Sequence, residues 1–349
     1  MKGVCFQDIQ KIETLTIDDP VVQDPADAIV QVSMAGLCGS DLHPFYGRET
    51  GIDPGTVMGH EFVGEVVAVG SGVRKIKSGD IVGAPFTTSC GECFYCLKGL
   101  TARCVKSELF GWREGGKGLH GGQAEFVRVP NADGTLVALN GVPPEIGLLL
   151  GDNLSTGYYC AEMAECGPQG VFAVIGCGTV GLLCVMSCLA RGVENLFAFD
   201  PQAHRLAKAN SLGAKTLGDE AEFCEAVLSA TEGRGADGVM ELVGLPAAQR
   251  LAYKVLRPAG IMSVVGCHCT PDFSFSPVDA FDKNLTYRTG RCSARHYFER
   301  LESVIEKYES DLLSMISHRF AFEDSVNAYD VFANRKDGCF KAVFEAGLG

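Results

Sequence analysis

Cys90, Cys93, Cys96 and Cys104 stand at spacings of three, three and eight. Four thiolates can close a tetrahedron around one zinc ion and leave no open position, so this set reads as a structural metal site. Disulfides or chance clustering are the alternatives in a chain with sixteen cysteines. A second set offers open chemistry. Cys38 lies in Gly36-Leu-Cys38-Gly-Ser40-Asp41-Leu-His43, and His60 lies in Met58-Gly-His60-Glu61-Phe62. A thiolate and an imidazole on two loops can bind zinc. Each alone is also an ordinary residue, a small buried thiol or a hydrogen-bonded ring.

The third chemical stretch is residues 170–190, which carry no charge. Its length suits a membrane span. Gly176-x-Gly178-x-x-Gly181, with Thr179 and Val180 between the last two glycines, interrupts it and argues against that reading. Glycines between a strand and a helix let backbone amides approach a pyrophosphate at the positive end of the helix. A second apolar run, Asn195-Leu-Phe-Ala-Phe-Asp200, ends in an acid 24 residues after Gly176. A carboxylate there accepts hydrogen bonds from the ribose hydroxyls of NAD and repels a 2′-phosphate. A solvated strand-end acid is the plainer alternative for Asp200.

These residues need elements to hold them. Ala28–Met34 alternates and Phe62–Val69 is β-branched, so the first 150 residues or so read as short strands of a partly open barrel. From Val171 onward strands alternate with helices. Strands are expected at 171–175, 195–200, 238–243, 260–266 and 284–289, with helices at 182–190 and 203–212. That alternation predicts an α/β fold with a doubly wound parallel sheet.

Length and composition bound the rest. A chain of 349 residues suggests two domains. A net charge of −13 with no basic run disfavours nucleic acid and anionic membranes as partners. Met1–Gln10 shows no signal-like apolar region, and many cysteines without one fit a reducing, cytoplasmic setting.

Taken together, the chain resembles the zinc-dependent medium-chain alcohol dehydrogenases over its whole length. The matching pieces are Gly36–His43, Gly59-His60-Glu61-Phe62-Val-Gly64, the four-cysteine lobe, Gly122-Gln-Ala-Glu-Phe126 and the glycine turn. The resemblance implies a GroES-like catalytic domain from 1–152 and 293–349, and a Rossmann NAD-binding domain from 153–292. It implies Cys38, His60 and Asp152 as ligands of a catalytic zinc, with Asp41 orienting His60 and Glu61 able to approach the metal. Asp152 departs from the commoner cysteine and matches a Cys-His-Asp branch. Thr156, Arg205 and Lys341 are implied to contact nicotinamide, adenosine ribose and pyrophosphate.

The implied chemistry is reversible hydride transfer between an alcohol, secondary alcohols and polyols favoured, and NAD. Ser40 and His43 would carry the proton outward. Phe45, Tyr46, Phe86, Trp112 and Leu119 are candidate substrate walls. Two zinc ions per chain and a homodimer or homotetramer are implied as well. An NADP-preferring aldehyde or ketone reductase of the same fold, or a zinc hydrolase using His60 and Glu61, are the rival readings. The hydrolase leaves Gly176, Gly178, Gly181 and Asp200 unexplained.

Overall fold

The structure, a computed structural model, describes residues 1–347. The described residues divide into two units: residues 1–155, 293–302 and 309–347 form one, residues 156–292 and 303–308 the other.

The first unit is built on a seven-stranded sheet. Its centre is Ala28–Gly36, which pairs antiparallel with Phe62–Val69, Phe126–Val129 and Lys341–Glu345. Ile316–Phe320 lies parallel to Lys341–Glu345, so two strands from the end of the chain complete a sheet begun near its start. Register shifts between Ile29 and Val30, and between Val32 and Met34, let the central strand bend. The bent sheet encloses Val30, Val66, Val82, Val127, Phe62 and Phe344, all 2% exposed or less. The apolar side chains of Ala28–Gly36 therefore point at a core, as their alternation predicts.

The second unit is a six-stranded, all-parallel sheet. Its order is Lys215–Leu217, Asn195–Phe199, Val171–Ile175, Ala236–Glu241, Leu256–Val264, Thr286–Thr289. In chain order that is 3-2-1-4-5-6, the arrangement of a Rossmann fold. Every residue of Val171–Ile175 is buried, as a central strand covered on both faces requires. Pro246 begins the helix Pro246–Val255, where a missing N–H costs nothing, and Gly213 ends the helix Ala203–Leu212. No helix among the described residues is long and apolar enough to cross a membrane.

Candidate active site

In the first unit, strand Ala28–Gly36 is pinned at its end. The Gly36 N–H donates to the Glu61 carbonyl at 2.9 Å, and the Leu37 N–H to the Ala342 carbonyl at 3.0 Å. Cys38 then leads into a single 3₁₀ turn, Gly39–Asp41. The Asp41 carboxylate accepts the Cys38 N–H at 2.9 Å, and the Asp41 N–H donates to the Cys38 carbonyl at 3.1 Å. This reciprocal pair stiffens the turn that carries the thiol. His60 and Glu61 precede strand Phe62–Val69. Asp152 occupies the break between helices Pro144–Gly151 and Asn153–Met163, at φ −148° and ψ −74°.

These loops converge. Asp152 Oδ2 lies 3.3 Å from Cys38 Sγ and 3.5 Å from His60 Nε2. Donor atoms of Cys38, His60, Glu61 and Asp152 all lie within 4.8 Å of one another. Zinc bonds of about 2.3 Å to sulfur and about 2.0 Å to nitrogen or oxygen, at tetrahedral angles, set neighbouring donors about 3.3–3.5 Å apart. The observed separations fit. His60 Nδ1 faces Asp41 Oδ1 at 3.2 Å, which turns Nε2 toward the thiol and carboxylate. Burial, then the charges of Asp152 and Glu61, push the Cys38 thiol up to about 11. A divalent cation reverses that balance. Ser40 Oγ stands 3.3 Å from His60 Nε2. His43 sits on the short helix Leu42–Phe45, half-buried, with its pKa lowered first by burial and then by Arg48.

The four-cysteine lobe is also assembled. Cys90, Cys93, Cys96 and Cys104 form one group within 4.8 Å, with the Cys93 and Cys96 sulfurs 3.6 Å apart. Backbone N–H groups of Cys90 and Lys106 donate to Cys104 Sγ at 3.2 and 3.3 Å. Neighbouring sulfurs in a tetrahedral zinc–thiolate site stand about 3.8 Å apart, so the donor set fits. No disulfide is present among the described residues.

In the second unit, strand Val171–Ile175 turns at Gly176, whose φ of +93° a side chain would resist. Gly178 then caps helix Thr179–Ala190 with no side-chain cap hydrogen bond, and a helix N-terminus of this kind favours an anion. Thr179, Val180 and Gly181 form that first turn. Asp200 follows strand Asn195–Phe199 and is 3% exposed. Its Oδ2 accepts the Cys177 N–H and its Oδ1 the Gln202 N–H, each at 2.8 Å. Each oxygen keeps a further lone pair for a ribose hydroxyl. Arg205 Nη1 lies 3.6 Å from Asp200 Oδ2. Thr156 is half-buried on the helix Asn153–Met163.

Residues 24–140 match the family described as alcohol dehydrogenase GroES-like domain, and residues 179–307 match zinc-binding dehydrogenase. The chain is 41% identical to zinc-type alcohol dehydrogenase B of Aspergillus flavus, over 99% of this chain and 82% of that protein. It belongs to the zinc-binding alcohol dehydrogenase family. Among solved structures it is similar to alcohol dehydrogenase TADH from Thermus sp. ATN1, at 34% identity, a TM-score of 0.90 and 99% coverage of both chains. It is also similar to zinc dependent alcohol dehydrogenase 2 from Streptococcus pneumonia, at 29% identity and a TM-score of 0.90, covering 100% of this chain and 99% of that one. The fold is accordingly a GroES-like barrel plus a Rossmann sheet, and the protein is an oxidoreductase of the alcohol dehydrogenase type.

Within this zinc-binding dehydrogenase, two placements go beyond the sequence reading. Lys341, expected near a pyrophosphate, is 1% exposed. Its ammonium pairs with Glu61 and donates to the Leu37 carbonyl at 2.9 Å. Burial alone would lower the Lys341 pKa, but Glu61 and the neighbouring anions raise it overall, so it stays charged. The type and spacing of Asn153 carry no signal of a site. Its Nδ2 donates to Glu61 Oε1 at 2.8 Å and Asp152 Oδ2 at 3.0 Å, tying the two carboxylates together. Adjacency to Asp152 is the one sequence feature that marks it.

Proposed function

We propose that the protein is a zinc- and NAD-dependent dehydrogenase of secondary alcohols or polyols, working reversibly. The observation that carries the reading is the meeting of one thiol, one imidazole and one carboxylate, Cys38, His60 and Asp152, in a chain that also has the Gly176 to Gly181 turn and Asp200. Cys38, His60 and Asp152 hold a catalytic zinc, and Cys90, Cys93, Cys96 and Cys104 hold a structural one. A zinc held there would supply Lewis acidity to a substrate hydroxyl, and a bound nicotinamide would supply the hydride acceptor. Residues 1–152 with 293–349 make the catalytic domain, and 153–292 the cofactor domain.

The chain's own residues do the remaining work. Asp41 fixes the imidazole of His60. Ser40 Oγ, beside His60 Nε2, takes the substrate proton and hands it outward toward His43. A lowered His43 pKa keeps the ring neutral and able to receive it at neutral pH. Glu61 stands in the same donor group, with one oxygen paired to Lys341 and the other accepting from Asn153. Gly176, Gly178, Thr179, Val180 and Gly181 bind pyrophosphate through backbone amides. Asp200 accepts the adenosine ribose, with Arg205 beside it, and Thr156 touches the nicotinamide.

A second reading, preference for NADP, has one observation in its favour. Asp200 already spends a lone pair of each oxygen on the backbone, and Arg205 stands next to it. The deciding experiment is absorbance at 340 nm with a panel of alcohols and both cofactors. NAD is expected to win by roughly a hundredfold in kcat/KM, from charged hydrogen bonds worth about 1.5–3 kcal/mol each. A preference for NADP would establish the second reading, and no reduction of either cofactor would remove both.

A further inference from the structure

A buried polar chain runs outward from His60 through residues outside the candidate ligand group. Asp41, Gln123 and Tyr329 are 5%, 0% and 1% exposed. Gln123 Nε2 donates to the Gly36 carbonyl at 3.0 Å and to Asp41 Oδ2 at 3.3 Å. Its Oε1 lies 3.0 Å from the Tyr329 hydroxyl, which donates to it. The carbonyl and the carboxylate only accept, so the amide nitrogen must face them, and the amide oxygen is left for the phenol. Burial, then the Asp41 charge, hold the Tyr329 pKa well above its ordinary value, so the phenol keeps its proton.

Gln123 also sets the backbone at the ligand. Gly59, the residue before His60, has φ +87°, and a Cβ there would fall 2.8 Å from Gln123 Cδ. The glutamine therefore lies against the Gly59 backbone while its amide fixes the acid behind the His60 ring. Tyr329 comes from helix Ser325–Ala333, 206 residues along the chain from Gln123. Its ring packs on Phe45 at 5.5 Å, on the helix just after the Cys38 turn.

We propose that Gln123 and Tyr329 are positioning residues for the metal site, acting on His60 through Asp41. Tyr329 fixes the orientation of the Gln123 amide. Gln123 then fixes Asp41 Oδ2, and Asp41 Oδ1 aims the imidazole. Loss of the amide donor leaves Asp41 Oδ2 held by the Cys38 N–H alone and loosens the aim of Oδ1 at His60 Nδ1. The inference rests on the zinc reading of Cys38, His60 and Asp152.

The test uses the whole chain with cobalt in place of zinc. The sulfur-to-cobalt charge-transfer band that disappears in Cys38→Ser reports the site. Gln123→Met keeps the bulk and removes the amide. Gln123→Glu keeps the shape and turns a carboxylate toward Asp41. Tyr329→Phe removes one oxygen and carries the test alone should the glutamine variants fail to fold. Release of cobalt to a chelator is expected to be about tenfold faster in Gln123→Met and Gln123→Glu, and about threefold faster in Tyr329→Phe, with a shifted d–d spectrum in each. Affinity for the nicotinamide cofactor should not change. Wild-type spectra and release rates in these variants would overturn the inference while leaving the zinc reading intact. A wild-type protein with no band sensitive to Cys38→Ser would overturn the zinc reading and the inference with it.

Discussion

Asp152 and Lys341 are the two residues whose removal separates chemistry from architecture. Asp152→Ala deletes an oxygen that lies within 3.5 Å of both Cys38 and His60. The variant is expected to lose one zinc and its turnover while still binding NAD, as elemental analysis and cofactor fluorescence titration would report. Full zinc content and turnover would move the third ligand elsewhere. Lys341 makes a different kind of claim. Its side chain and that of Glu61 are each 1% exposed. Breaking a buried pair by removing one partner costs about 3–5 kcal/mol, because the other charge is left unpaired. Lys341→Met should therefore lower the denaturant midpoint sharply, and Lys341→Met combined with Glu61→Gln should recover most of the loss. Equal midpoints for wild type and the single variant would show that Glu61 takes up its proton at no cost.

Strand starts in the parallel sheet are tied by a carboxylate. Asp237, in strand Ala236–Glu241, accepts the Val171 N–H at 2.8 Å and the Arg257 guanidinium at 2.6 Å, so it links the beginnings of three neighbouring strands. Burial raises its pKa, but the Val171 N–H and Arg257 outweigh it and the net shift is downward. A depressed carboxyl stabilises the fold above its unfolded pKa, near 3.9, and that contribution fades as pH falls through the lower folded value. The Asp237 side chain is 36% exposed, so solvent limits the contribution to about 0.5 kcal/mol. Asp237→Asn should cost about that much at pH 7 and nothing near pH 2, read from urea melts at the two pH values. An equal difference at both would remove the charge from the explanation. Elements such as this one were legible where the sequence has period. The apolar run at 171–175 is a strand over the same residues, and the helix expected at 203–212 spans Ala203–Leu212. The strand expected at 284–289 forms over Thr286–Thr289 only, because Asn284 takes a positive φ of 49° and closes a turn. Lys215–Leu217 was not foreseen, since three residues carry too little pattern. Motif spacing brought Cys38, His60 and the four-cysteine lobe into view. Asn153 and the Gln123–Tyr329 contact stayed hidden, because a neutral polar side chain reads as surface until the fold brings its partner beside it.

On the scale of the whole molecule, two ligand sets predict about two zinc equivalents per chain. Cys93→Ser should remove one of them and lower the unfolding temperature, because a closed metal site binds only the folded ligand set. Loss of turnover with unchanged zinc content would count against the lobe assignment. Thr286–Thr289 is the outer strand of the six-stranded sheet, and Val278 and Phe281 just before it are 74% and 86% exposed. An edge of this kind invites a second copy. Light scattering at micromolar concentration is expected to show a dimer or tetramer, and a lone 37.1 kDa species would exclude it. The sheet of the first unit has a consequence for synthesis. Its central strand is made early, but its neighbour Lys341–Glu345 emerges only after all six strands of the parallel sheet. The residues between Thr156 and Cys292 form a contiguous stretch and can settle on the ribosome first. Glu61 waits for a lysine 280 residues downstream, roughly 15–55 s at ~5–20 residues per second. Until then its carboxylate has no cation to bury against. The sheet beside Cys38, His60 and Asp152 is therefore completed long after those three residues have themselves been made.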